Sequence, residues 1–477
     1  MLCVRALILL VVLPSARTLT AQSAPVSPDR PWHSAEEQKI VANARSLPNW
    51  RLSAEADKAY SLAELIDLAE SHNPATRISW DRARAQAAAL GVAHSELYPT
   101  LLAAAFSQTT KQEPMFGNRF YGQVIQDFQI ELDLNYTIVD FGARSGRIDA
   151  AKAQVLAANF AFNDTHRTVI YQVQQAYYRL LSSMGQEQAA RASLSNAQAV
   201  QQAAEDRLAH GLATLPDVLE ARSATAQADY DLQSILGSEQ IARGDLATAV
   251  GTSATEVIKV QPLDQMATPE SISDTVEQAI NRALGQRPDL LREFAQIQTA
   301  NAVVKEAHAA YYPSLNLTAT PAVPWLYGIQ SPYPWAHTAD LVGGLRFNLQ
   351  WTVFDGGARR NRLAEAQNNV HAREAQANVK RDQIADEVWT AYSNLNTALR
   401  QRQAAIALLE SAGQSYSAAL ESYKYGVRNL LDVTAAQRTL AQARSADVLA
   451  RTQVLTSFAD LAFRTGDSVR ASVRPGP

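Results

Sequence analysis

The side chains best able to do covalent or metal chemistry in this 477-residue chain are poorly placed for it. Its eight histidines, at 33, 72, 94, 166, 210, 308, 337 and 371, are scattered, and none forms a His-x-x-x-His or Cys-His ligand pair. The one cysteine, Cys3, stands alone. No phosphate-cradling G-x-x-x-x-G-K-[ST] loop and no G-x-S-x-G nucleophile elbow occurs. Glu70-Ser71-His72 holds three catalytic residue types in a row, but consecutive helical residues do not face one another. The pattern predicts no enzyme, no cofactor and no metal. A net charge of −4 also argues against a nucleic-acid partner. What remains is hydrogen bonding and charge at chain reversals. Asp217 follows Gly211, Asp432 follows Gly426, and Asp140 and Asp355 stand beside glycines. Asp217 and Asp432 read as N-caps of return helices, Asp140 and Asp355 as capping residues at strand-to-helix turns, and Gly211 and Gly426 as C-caps.

The elements that position these residues are unusually long. Only 19 prolines are present, and none lies between Pro114 and Pro216 or between Pro334 and Pro475. Proline-free runs from Ala143 to Leu208 and from Ala358 to Tyr423 permit unbroken helices of ~100 Å. Ile170, Val173, Tyr177, Leu180 and Met184 recur at alternating spacings of three and four. Ile384, Val388, Ala391, Leu395 and Leu399 nearly repeat this, so both stripes read as coiled-coil seams. Each long helix is expected to break at Gly211 or Gly426, restart at Asp217 or Asp432, and return to about Val250 or Arg464. Helices over Leu62–Leu97 and Val276–Ala310 lead into strands.

Those strands alternate with period two. Phe128, Ile130, Leu132, Leu134, Tyr136 and Ile138 interleave with Gln129, Glu131, Asp133, Asn135 and Thr137. The expected strands are about 98–110, 127–139, 311–320 and 342–353, paired as two hairpins. Aromatic-rich loops (Phe116, Phe120 and Tyr121; Trp325, Tyr327 and Trp335) join them. About ten residues per strand, aromatic ends and one polar face suit a tilted bilayer crossing better than a soluble sheet. Four strands cannot close a barrel, since about eight is the minimum. A dimer would supply eight strands and a trimer twelve.

The chain also repeats itself. Asn73-Pro74 returns as Arg287-Pro288, Tyr98-Pro99 as Tyr312-Pro313, and Asp140-Phe141-Gly142-Ala143-Arg144 as Asp355-Gly356-Gly357-Ala358-Arg359. The expected organisation is an export signal at 1–21, a polar extension at 22–60, a first repeat at 61–251, a connector at 252–273, a second repeat at 274–466 and a tail at 467–477. The signal rests on Arg5 followed by the apolar run Ala6–Leu13. No later stretch approaches the ~18 apolar residues of a transmembrane helix.

With these junctions and hairpins in this order, the sequence resembles the outer-membrane efflux proteins typified by TolC. The resemblance spans roughly Ser61 to Thr465. It implies a mostly α-helical fold with a transmembrane β-barrel part: two structural repeats, each a β-hairpin plus long coiled helices, with a homotrimer forming a 12-stranded barrel and an α-helical periplasmic tunnel. The implied place is the outer membrane of a Gram-negative bacterium, in contact with its lipid. The implied function is that of a channel-tunnel serving as the exit duct of a tripartite efflux or type I secretion system, with a periplasmic adaptor and an inner-membrane pump as partners. The residues alone leave a second reading, a non-channel coiled-coil scaffold or adhesin, which has no need of alternating strands.

The resemblance further implies an iris-like gate at the periplasmic entrance. The matching residues are Asp217 of the first repeat and Tyr423, Arg428 and Asp432 of the second. A phenol can donate to a carboxylate, and a ring of Asp432 carboxylates would favour cations. Gly211, Leu212, Gly426 and Val427 match the hairpin tips that meet the adaptor. Two positions depart from the pattern: Ala435 stands where a second acid is usual, and Pro216 replaces a hydroxyl residue.

Overall fold

Capping chemistry and proline placement account for where the helices begin and end. The computed structural model describes residues 29, 35–45, 58–263, 271–272, 274–330 and 333–467. The expected export signal, most of the 22–60 extension, part of the connector and the tail after 467 lie outside the described residues. Helix α1 (Ala35–Arg45) belongs to one compact unit, residues 1–51, and all other elements belong to a second, residues 52–477.

In the second unit, strand β1 (Ala59–Tyr60) precedes α2 (Leu62–His72) and α3 (Pro74–Ser95). Ser61 and Glu64 form a reciprocal capping box at the start of α2, with the Ser61 amide donating to Glu64 Oε2 at 2.9 Å. The expected single helix 62–97 is broken at Asn73, whose ψ of 130° is the extended conformation that a following proline enforces. Asn73 Oδ1 then accepts the Ala75 amide and starts α3 afresh. Next come β2 (Thr100–Gln112), the small hairpin β3 (Met115–Phe116) and β4 (Arg119–Phe120), and β5 (Gln123–Val139). The long helix α4 (Ala143–Ala209) is followed by α5 (Leu215–Val250), then by β6 (Lys259–Val260), which pairs with β1.

Helices α6 (Val276–Gln286) and α7 (Pro288–Ala309) repeat the interruption, this time at Arg287 before Pro288. The expected helix 276–310 is therefore also two helices, for the same steric reason. Strands β7 (Ser314–Ala319), β8 (Ala322–Gln330), β9 (Tyr333–Ala339) and β10 (Leu345–Gln350) precede α8 (Ala358–Lys424) and α9 (Leu430–Thr465). The helical pairs α4/α5 and α8/α9 have the same lengths, 67 and 36 residues. Helix α4 packs against α3, α5, α7 and α9, and α8 against α7 and α9. The two expected seams are buried: Val173, Tyr177 and Leu180 in one, Ile384, Val388, Ala391 and Leu395 in the other.

The sheet is larger than the sequence pattern implies. Strand β5 pairs with β2 along one edge; along the other it pairs first with β8 and then with β7, all antiparallel. Strands β7 and β8 thus form one bent strand, interrupted at Thr320-Pro321, where the Pro321 carbonyl still accepts the Leu132 amide at 2.9 Å. Strands β9 and β10 follow it on the far side, against β8 and β7 respectively. Four long antiparallel lines result. The segment read as an aromatic loop, with Trp325, Tyr327 and Trp335, is strand, because the ladder continues past prolines 321 and 324. The strand expected at 342–353 spans only 345–350.

Along β5, β7 and β10 the side chains sort between the two faces, whereas β2 places Leu102 and Phe106 on the polar one. Leu101, Leu134, Ala319 and Leu345 line up across four strands on one face, and Tyr136, Leu317 and Phe347 beside them. On the opposite face lie Asn135, Thr318 and Arg346, then Thr137, Asn316 and Asn348, with Thr137 Oγ1 donating to Asn316 Oδ1 at 2.9 Å. The apolar face is uncovered: Leu101, Leu345, Phe347 and Leu349 are all exposed in the single chain.

Where strand turns to helix, Asp140 and Asp355 do the same work. Asp140 accepts the amides of Gly142 and Arg144 and the Arg144 side chain; Asp355 accepts those of Gly357 and Arg359 and the Arg359 side chain. Gly142 and Gly357 hold the N-cap positions, and each aspartate, two residues upstream, satisfies one first-turn amide, that of Arg144 or Arg359, which has no partner inside the helix.

Candidate functional site

The candidate site is built from two helical reversals, each made by a glycine in the left-handed region. At the first, α4 ends where Gly211 adopts φ +73°. There the Gly211 amide donates to Leu208 O and the Leu212 amide to Arg207 O. At the second, Gly426 adopts φ +79°, with its amide on Tyr423 O and that of Val427 on Ser422 O. A residue with a Cβ is strained at this φ, which is why glycine stands at both reversals. The return helices begin at Leu215 and Leu430, two residues earlier than expected.

Asp217 and Asp432 are consequently the third residues of their helices, in the first turn, and not N-caps. Thr214 occupies the first N-cap, and Asp217 Oδ2 reaches back to accept its amide at 2.9 Å and its hydroxyl at 2.7 Å. Asn429 occupies the second, its Oδ1 accepting the Asp432 amide at 2.9 Å. Pro216 sits in the first turn of α5, where a missing amide proton is tolerated. The Thr214 amide, then its hydroxyl, hold the Asp217 carboxyl below its ordinary pKa, and the Arg207 charge adds to this.

The two reversals share one apolar core. Val200, Ala204, Val218 and Ala221 of the first hairpin pack with Ala412, Tyr416, Ala419, Tyr423, Leu430 and Val433 of the second. Tyr423 is 3% exposed, and among the described residues its hydroxyl has no hydrogen-bond partner. Burial pushes its pKa up; Arg207 opposes this and the nearby Asp217 charge adds to it. Above the core, Arg207 bridges the reversals. Its Nη1 donates to Tyr423 O, its Nη2 donates to Leu212 O at 3.1 Å, and its guanidinium lies 4.7 Å from the Tyr423 ring centroid.

The structure therefore brings Asp217 and Tyr423 together around Arg207, and leaves Arg428 and Asp432 apart. Arg428 and Asp432 are exposed, and among the described residues their side chains have no partner within the chain. Gly211, Leu212, Gly426 and Val427 are exposed at the reversals, and Ala435 is exposed one turn beyond Asp432. Leu212, Leu215, Tyr425, Val427 and Leu431 form an apolar fringe there. Arg207 was not singled out by sequence reasoning. Its one local signal is a cation in the last turn of a helix, a favourable place beside free carbonyls. Its second carbonyl belongs to a residue 216 positions away.

Among the described residues, no group of His, Cys, Asp and Glu is poised to hold a metal ion. No described helix is long and apolar enough to cross a membrane.

The sequence signature of the family described as outer membrane efflux protein matches residues 65–252 and 279–467. Protein CyaE of Bordetella pertussis is 26% identical over 435 residues, covering 90% of this chain and 89% of that protein. Outer membrane protein OprJ of Pseudomonas aeruginosa is 26% identical over 433 residues, covering 89% and 86%. Among solved structures, a membrane protein from Pseudomonas aeruginosa superposes with a TM-score of 0.74 at 25% identity, over 87% of this chain and 98% of that one. The outer membrane protein VceC from Vibrio cholerae shares the fold, with a TM-score of 0.70 at 20% identity over 85% and 96%.

Proposed function

The chain belongs to the outer membrane efflux protein family, and from that premise we propose that it is the outer-membrane exit duct of a tripartite efflux or type I secretion system. The observation that carries the reading is the sheet. Of four long antiparallel lines, the stretch built from β5, β7 and β10 presents one apolar and one polar face, and the outer strands, β2 on one side and β9/β10 on the other, have no further partner among the described residues. An uncovered apolar face with two open edges is an aggregation hazard in water and a barrel stave in a bilayer. Four strands per chain close a barrel only with other copies, and a homotrimer gives twelve. The matching helix lengths support a duplicated unit, with repeats at 61–251 and 274–466 joined by 252–273.

The helices continue the passage into the periplasm as a coiled tunnel, and the reversals at Gly211 and Gly426 form its entrance. Asp217, Tyr423, Arg428 and Asp432 line the gate. Arg428 and Asp432, exposed and unpaired among the described residues, meet the neighbouring protomers, and the Asp432 carboxylates favour cations. A periplasmic adaptor docks on the apolar fringe around Leu212 and Val427. The energy comes from an inner-membrane pump, since passage through a duct is passive.

Planar-bilayer conductance of the detergent-purified protein tests this. Small, cation-favouring steps are expected, enlarged several-fold in Arg428→Ser. Equal large steps in both proteins would keep the duct and remove Arg428 from the gate. No steps, from a protein that stays soluble without detergent, would leave a coiled-coil scaffold.

A further inference from the structure

A single side chain holds the two reversals of one chain together. Arg207 leaves the last turn of α4 and spends its two terminal nitrogens on two carbonyls: Leu212 O, at its own reversal, and Tyr423 O, at the other. Tyr423 O belongs to the last turn of α8, where it also accepts the Gly426 amide, and Leu212 O lies just past the end of α4, so one cation sits at the negative ends of two helices. The guanidinium plane rests against the Tyr423 ring. A Cβ on Gly426 would come within 3.8 Å of both terminal nitrogens, so the guanidinium lies directly beside the second reversal. The Asp217 carboxylate, fastened to Thr214, adds its field. Tyr423, by contrast, contributes its main-chain oxygen and its ring face, while its hydroxyl is buried without a partner.

We propose that Arg207 is the positioning residue that clasps the two hairpin ends of each protomer into one unit, and that the Tyr423 hydroxyl contributes nothing to this hold. The proposal rests on the duct reading for its consequence, because the clasp keeps the entrance narrow from within each protomer while Arg428 and Asp432 face outward. A planar fork that meets two carbonyls at once is a property of arginine and not of lysine.

The test compares the full-length, detergent-purified wild type with Arg207→Gln, Arg207→Lys and Tyr423→Phe, by amide hydrogen exchange and by single-channel conductance. Arg207→Gln is expected to lower the protection of amides around Gly211–Thr214 and Gly426–Asn429 by about tenfold or more, the scale of losing hydrogen bonds from a charged donor. Its conductance steps are expected to rise. Arg207→Lys recovers part of both, and Tyr423→Phe keeps wild-type protection at both reversals. Unchanged protection in Arg207→Gln overturns the clasp, as does a Tyr423→Phe protein that loosens equally. Protection lost along the whole of α4 and α8 also overturns it, because that outcome marks a merely structural residue. Should none of the four proteins conduct, the duct reading falls, while a loss of protection confined to the reversals still upholds the clasp.

Discussion

Asp217 shows how a residue can sit where a functional reading expects it and do so by different chemistry. Its carboxylate is engaged by the Thr214 amide and hydroxyl, and the phenol of Tyr423 is not among its partners. A carboxyl whose pKa is depressed in the folded protein contributes stability that is complete above the ordinary carboxylate value of ~3.9 and is lost as pH falls through the lower folded value. Asp217→Ala is therefore expected to speed amide exchange at Thr214 at pH 7. At pH values below the depressed folded pKa, where the wild-type carboxyl also becomes protonated, the two proteins should converge. A difference that persisted undiminished at low pH would assign the effect to something other than the charge. Gly426 is the second residue-scale constraint. Its φ of +79° makes Gly426→Ala cost about 1 kcal/mol, to be read as a lower unfolding midpoint in denaturant.

At the scale of elements, the break between α6 and α7 is held by charge as well as by proline. Arg287 Nη2 and Nε donate to the Asp289 carboxylate at 2.7 and 3.0 Å, and its Nη1 reaches Glu387 Oε2 of α8 at 2.7 Å. Lys380 Nζ lies 2.8 Å from Asp289, Arg464 of α9 is 3.1 Å from Glu387, and Arg167 of α4 donates to the Phe463 carbonyl. Burial alone would raise the Asp289 pKa, but the Arg287 hydrogen bonds and then Lys380 outweigh it and hold the carboxyl well below its ordinary range. Four helices thus meet on a network whose centre, Arg287, Asp289 and Arg167, is buried. Removing one buried partner strands the others, so Asp289→Ala is expected to destabilise by about 3–5 kcal/mol in thermal or denaturant unfolding. A loss under 1 kcal/mol would show that water replaces the carboxylate. At Asn73-Pro74, the corresponding break, an amide side chain bonds the Ala249 carbonyl instead, so the ionic version belongs to the second half alone.

For the whole molecule, the sheet decides the environment. Neighbouring strand residues Phe347 and Asn348 point to opposite faces, one apolar and one polar. If the apolar face meets lipid, Phe347→Arg costs about 2–4 kcal/mol at the bilayer midplane and less toward the interface. The expected outcome is a reduced yield of membrane-assembled oligomer. Asn348→Arg, one residue away, should assemble normally and weaken the cation preference of the channel. Equal assembly of both variants would count against a lipid-facing sheet, and sedimentation in detergent showing a monomer would count against a barrel shared among copies.

The legible parts of this protein were those set within a few residues of the main chain. Absence of proline permits a helix of 67 residues, glycine past its end stops it, and period-two alternation turns one side of β5 to oil and the other to water. Each of these depends on local sterics and on side-chain direction, which sequence spacing records directly. Capping aspartates at 140 and 355 were legible for the same reason. The error of two residues at the return helices came from local competition, because Thr214 and Asn429 took the caps that Asp217 and Asp432 could also have filled. Strands β8 and β9 were illegible because their prolines and broken alternation speak for a loop, and only β5, some two hundred residues earlier, offers the ladder that overrules them. Arg207 was illegible in the same way. Its type and place suit any helix end, and what makes it a bridge is the carbonyl of Tyr423, brought beside it by the apolar packing of two hairpins. Local patterns thus determined the elements, whereas pairings between distant segments, which depend on the free energy of burying both together, were decided only in the folded chain.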